Sequence, residues 1–295
     1  MFTKLIAFGT AWLLAVGSLL AAEATPLTLV VMDPLAKELS CPCVAGYAQR
    51  NYHLLGKHLE ATLGRPVKVV FSESLLKATT DLTNGAADIV IGKKSVVEFD
   101  AARMQREFQP SAALTGKDGL TTQTGLLVVA KANPATSVPD LKGQLLVFGP
   151  AESSEKHAAA IAMLKKHHVT LPEKLETAEG CDTGATRILE LPAGEWGAAV
   201  ISSYAKPLLE GCGTVPKGAL RVVGTTEPVP FVTAFVSEKL SADEQTQITA
   251  ALTAVKSEPV LLKALESSAG FLPIQEAGAK ESTTDPEKAE LKKKN

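Results

Sequence analysis

The sequence predicts an α/β protein of two lobes. Short apolar segments, such as Leu27–Met32 and Val67–Phe71, alternate with amphipathic segments of helical period, such as Tyr47–Leu63. This alternation is typical of a mostly parallel sheet covered by helices on both faces. The 295 residues suffice for two domains with separate cores, and 45% of them are hydrophobic, as in globular proteins.

The elements of the first lobe begin with those segments. The pattern then predicts a helix over Ser74–Thr83 that ends near Gly85, and a short buried strand over Asp88–Gly92. Two later helices, Ala242–Lys256 and Pro259–Ser267, are expected to pack back on this lobe.

The elements of the second lobe begin near Gly125. The pattern predicts strands at 126–130, 145–148, 198–202 and 222–223, and helical segments at 138–143, 154–167, 185–191 and 204–209. Residues 225–235 are extended and punctuated by prolines, which indicates a return crossing to the first lobe.

Two crossings of the chain predict a two-strand hinge with a cleft beside it. Lobe 1 is expected to comprise residues 25–124 with 226–275, and lobe 2 residues 125–225. In open α/β sheets, ligands bind at the carboxyl ends of the strands, and clefts between domains are common sites. The loops that follow the strands are therefore the candidate walls of a binding site.

Both ends of the chain have the composition of segments outside a folded domain. Residues 1–24 combine Lys4, the apolar run Leu5–Leu20 and small residues, as in a cleaved secretory signal, with an uncleaved anchor helix as the alternative. No later segment has eighteen unbroken apolar residues, so we expect a periplasmic protein with no stable membrane insertion. Residues 276–295 are charged and poor in apolar residues, which predicts a disordered tail.

Charge and motifs argue against several classes of function. The 30 basic and 32 acidic residues nearly cancel, so no nucleic-acid partner is expected. There is no Gly-x-Ser-x-Gly elbow, no His-Glu-x-x-His pair and no phosphate-binding loop that ends in Lys-Ser or Lys-Thr. Cys181 with His157 is the remaining nucleophilic pair, and we expect a binding protein rather than an enzyme.

The segment 145–157 carries the clearest binding motif. An apolar strand runs through Gly149-Pro150 into Ser153 and Ser154, which open a predicted helix, and His157 follows. A helix start with backbone N–H groups, hydroxyls and a nearby basic side chain can hold an anion. The same residues also fit an ordinary helix N-cap.

Three other loops are predicted to face the same cleft. Lys93 and Lys94 directly follow a buried strand, where they are either a solvated pair or point charges for an oxyanion. The loop after the first strand contains Tyr47, and the loop at 180–183 contains Asp182, which can accept a hydrogen bond from a protonated ligand.

In its order of elements, the chain resembles type II periplasmic substrate-binding proteins, and more narrowly the phosphate/phosphite/phosphonate-type substrate-binding proteins of ABC transporters. The motif that carries the resemblance is strand-Gly-Pro-x-x-Ser-Ser-x-x-His at 147–157. Further matches lie at 84–90, 138–143, 197–203 and 258–262, so the resemblance spans about residues 27–273.

The resemblance implies two Rossmann-like lobes around a small anionic ligand, with Ser153, Ser154 and His157 at its oxyanion. It further implies an ABC permease as partner and no cofactor, and we expect a monomer. The chain departs from the family pattern at Lys93-Lys94-Ser95, where relatives commonly place an aromatic residue. It also departs at Gly180-Cys181-Asp182, where relatives have a Gly-Ser-His turn or similar.

The four cysteines leave two interpretations open. In an exported protein, Cys41, Cys43, Cys181 and Cys212 favour disulfides, and four cysteines allow three connectivities. Cys181 and Cys212 are the natural pair, closing a loop of roughly thirty residues that stabilises by about 3 kcal/mol. The alternative is a Cu or Zn site of Cys41, Cys43, Cys181 and His157, in metal handling or partnership with a periplasmic redox enzyme.

Overall fold

Two separate β-sheets carry the fold. The computed structural model describes residues 25–40 and 49–274. The strands are β1 (Leu27–Met32), β2 (Val67–Phe71), β3 (Ile89–Lys93), β4 (Phe108–Leu114), β5 (Thr122–Gln123), β6 (Gly125–Ala130), β7 (Leu145–Phe148), β8 (Glu176–Thr177), β9 (Gly197–Ser202), β10 (Leu220–Thr225), β11 (Val229–Pro230), β12 (Val232–Ser237) and β13 (Phe271–Pro273).

Helices cover both sheets. The α-helices are α1 (Tyr52–Leu63), α2 (Leu75–Lys77), α3 (Lys94–Arg103), α4 (Ala158–Lys166), α5 (Cys181–Leu189), α6 (Ala205–Gly211), α7 (Ala242–Ala254) and α8 (Pro259–Ala264). One π-helical segment, Ala78–Leu82, and two 3-10 segments, Val138–Leu141 and Val255–Ser257, complete the described helices. Within the described ranges, no helix combines the length and apolar character needed to cross a membrane.

The larger sheet has six strands in the order β13-β4-β12-β3-β1-β2. Strand β1 runs parallel to both β2 and β3, while β12 is antiparallel to β3 and β4. Apolar side chains cover both faces, with Leu29 and Ile91 in one buried cluster and Val30 and Val90 in the other. Alternating side chains therefore supply two cores from one sheet.

The smaller sheet has five strands in the order β10-β6-β9-β7-β8. Strand β7 is parallel to β8 and β9, and β6 is antiparallel to β9 and β10. Its two faces also carry separate buried clusters, with Phe148 and Val200 in one and Val147 and Ile201 in the other.

The chain passes between the sheets through two short strands that pair with each other. Strand β5 leads from β4 into β6, and β11 leads from β10 into β12. The two strands are antiparallel, with Gln123 opposite Val229 and Thr122 opposite Pro230. The predicted fold class, two α/β lobes joined by a two-strand hinge, is confirmed.

Several predicted elements differ in their bounds or type. Helix α1 begins at Tyr52 because the Asn51 side chain accepts hydrogen bonds from the backbone N–H groups of His53 and Leu54. The predicted helix at 74–83 is one α-turn followed by a π-helix, in which the Thr83 N–H donates to the Ala78 carbonyl five residues earlier, at 3.1 Å.

The helix expected to start at Ser154 starts at Ala158. Residues 150–157 form consecutive turns, in which the Ser153 carbonyl accepts from the N–H groups of both Lys156 and His157. His157 has φ −120° and ψ −85°, which are not helical values, so it ends the turns and precedes α4. Ser153 and Ser154 are therefore turn residues and do not cap α4.

A buried polar network joins the end of β1 to the start of α1. The Asp33 carboxylate is fully buried and accepts hydrogen bonds from Arg50 Nη1 at 2.8 Å and from the Tyr52 hydroxyl. Its other oxygen accepts from the Leu35 N–H at 2.9 Å. Burial raises the pKa of the Tyr52 phenol well above its usual value, and the Asp33 carboxylate raises it further, so the phenol stays the donor.

We expect Arg50→Met to destabilise the protein more than Tyr52→Phe. The first change leaves the buried Asp33 carboxylate without its counter-charge, which costs about 3–5 kcal/mol. The second removes one donor from a carboxylate that keeps Arg50, at a cost of about 1.5–3 kcal/mol. Urea unfolding followed by circular dichroism measures both losses, and equal losses would contradict a role for the Arg50 charge.

Candidate functional site

A cleft of about 550 Å³ lies between the two sheets. Loops that follow β1, β3 and β7 open on it, as expected for the carboxyl ends of strands in an α/β fold. The residues that line it are Met32, Pro34, Leu39, Ser40, Glu73, Lys93 and Val96 of lobe 1, and Pro150, Glu152, Ser153, Lys156, Glu179, Gly180, Cys181, Asp182, Tyr204, Ala205, Leu208, Leu209, Cys212 and Thr214 of lobe 2.

An ion pair between Lys93 and Glu155 joins the two lobes at this cleft. Lys93 ends β3 in the larger sheet, whereas Glu155 lies in the turns that follow β7 in the smaller one. The exposed fractions of these residues are 7% and 0%. Glu155 Oε1, which contacts Lys93 Nζ, also accepts from the Ser202 hydroxyl at 2.7 Å. Burial lowers the pKa of the Lys93 ammonium, and the Glu155 carboxylate opposes that shift.

Ser95 provides a second link between the lobes. It lies in the first turn of α3, and its hydroxyl donates to the Glu152 carbonyl at 2.6 Å. The same hydroxyl oxygen accepts from the Ser154 N–H at 3.3 Å. Lobe 1 therefore contacts the 152–155 turn at both its backbone and its buried carboxylate.

Lys156 brings a second buried ammonium to the cleft wall. Its exposed fraction is 6%, and Nζ donates to the Glu179 carbonyl at 3.4 Å. Among the described residues, no carboxylate forms an ion pair with it. A Cβ atom at Gly149 would lie 2.5 Å from Lys156 Cβ, so only glycine leaves room for this side chain.

Helix α5 begins at the cleft with Cys181. Its N-cap is Gly180, and Asp182 lies in its first turn. The Asp182 carboxylate folds back over the start of the helix, since a Cβ atom on Gly180 would lie 2.0 Å from Asp182 Oδ1. The positive end of the helix dipole therefore already faces one carboxylate of the chain itself.

Tyr204 forms part of the cleft wall nearest the hinge. Its ring stacks on Phe231 with centroids 5.4 Å apart and planes 18° apart. The guanidinium carbon of Arg50 lies 5.7 Å from the centroid of the Phe231 ring. Burial raises the pKa of the Tyr204 phenol well above its usual value, and Cys181 and Glu155 raise it further. The phenol is therefore neutral and can donate a hydrogen bond.

The structure separates the predicted anion-binding residues. Ser153 is buried and lines the cleft, and Asp182 lines it from the first turn of α5. Ser154 donates its N–H to Ser95 and lies outside the lining residues. His157 also lies outside them, because its Nδ1 is 2.9 Å from the Gly149 carbonyl and its ring packs edge-on against Phe148.

The two predicted lysines have different surroundings. Lys93 lines the cleft in its ion pair, while Lys94 pairs with Glu98 one turn along α3 and does not line it. Tyr47 lies outside the described residues. Lys156 was missed by the sequence analysis, although it follows Ser153 by three residues within the same motif.

The predicted Cys181–Cys212 disulfide is not formed. Cys181 is a free thiol whose sulfur accepts from the Ser202 N–H at 3.4 Å, inside lobe 2. Cys212 Sγ lies 3.0 Å from the Thr214 hydroxyl and 3.5 Å from the Leu209 carbonyl. Both cysteines line the cleft, but the sulfur of Cys181 is held by the end of β9.

The metal hypothesis depends mainly on residues that the structure does not describe. Cys41 and Cys43 lie outside the described residues. Within residues 25–40 and 49–274, no group of three or more histidine, cysteine or acidic side chains is placed to hold a metal ion. The His157 ring is engaged by Gly149, away from the lining of the cleft that contains Cys181.

Comparison with known proteins places the chain in a family. Residues 47–278 match the family model described as "ABC transporter, phosphonate, periplasmic substrate-binding protein". No curated protein matches the chain.

Solved structures show the same fold at low sequence identity. XAC2383 from Xanthomonas citri, solved with ATP, has a TM-score of 0.60 at 17% identity, covering 86% of this chain and 92% of that one. A binding-protein component of an ABC phosphonate transporter from Pseudomonas aeruginosa has a TM-score of 0.60 at 13% identity, covering 84% and 82%. PhnD1 from Prochlorococcus marinus, solved with methylphosphonate, has a TM-score of 0.59 at 14% identity, covering 85% and 93%.

We expect Cys181→Ser to leave stability within about 1 kcal/mol of the wild type without reductant, because a serine oxygen also accepts from the Ser202 N–H. Loss of a Cys181–Cys212 disulfide would instead cost about 3 kcal/mol. Urea unfolding measures the difference. Alkylation of the unfolded, unreduced proteins provides a control, since the wild type should gain one more alkyl group than the variant in mass spectrometry.

Proposed function

The chain belongs to the family of phosphonate periplasmic substrate-binding proteins of ABC transporters, and from that premise we propose that its cleft binds a small phosphate- or phosphonate-like oxyanion against lobe 2. The family consists of transport components that bind a substrate.

Lys156 is the observation that carries this proposal. A buried ammonium with a single carbonyl partner retains most of its capacity to donate hydrogen bonds to an anion. The buried Ser153 hydroxyl lines the same wall, and the start of α5 follows Glu179, to which Lys156 is bonded. A cation and a hydroxyl in one wall are suited to an oxyanion, and Asp182 at the start of α5 can accept a hydrogen bond from a ligand that carries a proton.

The acidic residues of the cleft restrict the form of that anion. Four acidic side chains line it against two lysines, namely Glu73, Glu152, Glu179 and Asp182 against Lys93 and Lys156. Carboxylates accept hydrogen bonds and repel a second negative charge. The cleft therefore favours a ligand that keeps a proton or another donor over a fully ionised one, and Asp182 is the proposed acceptor for that donor.

Transport is proposed to use the hinge and an export signal. Cleavage after residues 1–24 would release the protein into the periplasm, where the lobes close on the ligand and present it to an ABC permease. The hinge strands β5 and β11 allow such closure, because few residues need to change their backbone angles.

We expect Lys156→Met to weaken binding of methylphosphonate and inorganic phosphate by about 10- to 100-fold, since a hydrogen bond to a charged group contributes about 1.5–3 kcal/mol. Calorimetric titration measures the affinity, and ligand-induced thermal stabilisation gives an independent readout.

The matched control is Lys94→Met. It removes the same charge from a neighbouring lysine that pairs with Glu98 outside the cleft lining, and it should change affinity less than about twofold, the scale of surface ion pairs. If Lys156→Met binds as tightly as the wild type, the oxyanion is not held at this wall.

A further inference from the structure

The polar contacts described above between the lobes converge on one turn. The 152–155 turn receives the Lys93 ammonium at its Glu155 carboxylate and the Ser95 hydroxyl at the Glu152 carbonyl and the Ser154 N–H. All three contacts are made by lobe 1 to a single four-residue segment of lobe 2. The 152–155 turn is therefore the segment of lobe 2 to which Lys93 and Ser95 of lobe 1 both bind.

The surroundings of Glu155 Oε1 are those of a bound oxyanion. A buried ammonium and the Ser202 hydroxyl both contact this oxygen, and the carboxylate has no exposed surface. Charge-assisted contacts of this kind are the ones that hold carboxylate and phosphate ligands. Here the anion is the Glu155 carboxylate of the protein itself and not a bound ligand.

The same turn contacts the chain where it enters lobe 2, and that point is hydrogen-bonded to the point where the chain leaves lobe 2. A Cβ atom at Gly125, the first residue of β6, would lie 2.1 Å from the Glu155 carbonyl oxygen, so the turn packs closely against the chain where it enters lobe 2. Gly125 also exchanges hydrogen bonds with Thr226, where the chain leaves lobe 2: its N–H donates to the Thr226 hydroxyl at 2.7 Å, and its carbonyl accepts from the Thr226 N–H at 2.9 Å.

From these contacts we propose that Glu155 is an internal anion that stabilises closure of the lobes and competes with the oxyanion ligand for Lys93. The ligand part of this inference rests on the proposed function, while the closure part does not. Glu155 then determines specificity, because a ligand that needs the charge of Lys93 must first displace the carboxylate of the chain.

The Lys93–Glu155 ion pair and the Ser95 contacts to the 152–155 turn together form a latch between the lobes, and this latch can also be released. No described residue donates to Glu155 Oε2, which is buried. When the lobes separate, water can reach this oxygen and hydrate it. This hydration offsets part of the free energy that is lost when the ion pair separates. A ligand anion at Lys93 would replace the carboxylate as the partner of this ammonium, so the lobes could then close on the ligand instead.

The first test is the separation of the lobes in solution. Small-angle X-ray scattering of the ligand-free wild type should fit the arrangement in which Lys93 contacts Glu155, and Glu155→Gln should have a larger radius of gyration. Glu152→Gln is the matched control, because it removes the same charge from the same turn, whereas the latch uses only the backbone carbonyl of Glu152. It should scatter like the wild type.

Ser95→Ala provides a second variant that does not alter a buried charge. It removes the other link to the turn and should also scatter as a more open protein. Unchanged scattering in both Glu155→Gln and Ser95→Ala would overturn the latch.

The second test is the affinity for inorganic phosphate and methylphosphonate, measured by calorimetry. Removal of the internal competitor should tighten binding to Glu155→Gln at least tenfold. The control here is Glu98→Gln, which removes the same charge from a residue outside the cleft lining and should change the affinity less than threefold. Equal tightening in both variants would show a general charge effect and overturn the competition. If no variant and no wild-type sample binds an oxyanion, the proposed function fails, and the scattering comparison alone decides the latch.

Discussion

The buried ion pair of Lys93 and Glu155 places the two lobes relative to each other. Removing two charges from water costs several kcal/mol per ion, and their attraction offsets this only with close contacts and further hydrogen bonds. Here the Ser202 hydroxyl supplies one such bond to the carboxylate, at 2.7 Å. The ion pair therefore depends on β3, the 152–155 turn and the end of β9 staying together, and the first two of these also supply residues to the cleft lining.

A second buried network supports this geometry from within lobe 1. Asp33, Arg50 and Tyr52 hold the end of β1, and Arg50 lies over the ring of Phe231. Phe231 directly follows β11, and its carbonyl accepts from the N–H of Lys94 at 2.8 Å. The start of α3, next to Lys93, is thus hydrogen-bonded to the residue at which the chain returns from the hinge to the larger sheet.

Local sequence patterns predicted most of the strands and helices, whereas contacts between residues distant in sequence determine the geometry of the candidate site. The apolar run of β1 gave its bounds correctly, because burial on both faces of a parallel strand leaves a continuous signal. Strand β2 was also predicted with the correct bounds, although it is only partly buried, because it is rich in valine and phenylalanine. Strand β4 was not predicted, since Pro110 and polar residues interrupt it. The helix start at Ser154 was wrong because the turn is held by Ser95, 59 residues away. The Cys181 thiol likewise faces Ser202, which no spacing of cysteines reveals.

Two carboxylates of the chain occupy the positions that would otherwise attract an anion most strongly. Glu155 neutralises Lys93, and Asp182 lies over the start of α5. Two lysines line the described part of the cleft, and of these Lys156 is the one without a carboxylate partner. A cleft arranged in this way has little net attraction for negative charge at a distance, so long-range steering of anions contributes little to recognition. Selectivity must instead come from short contacts with Lys156, Ser153 and the acceptor oxygens of the wall, which distinguish ligands by where they carry protons.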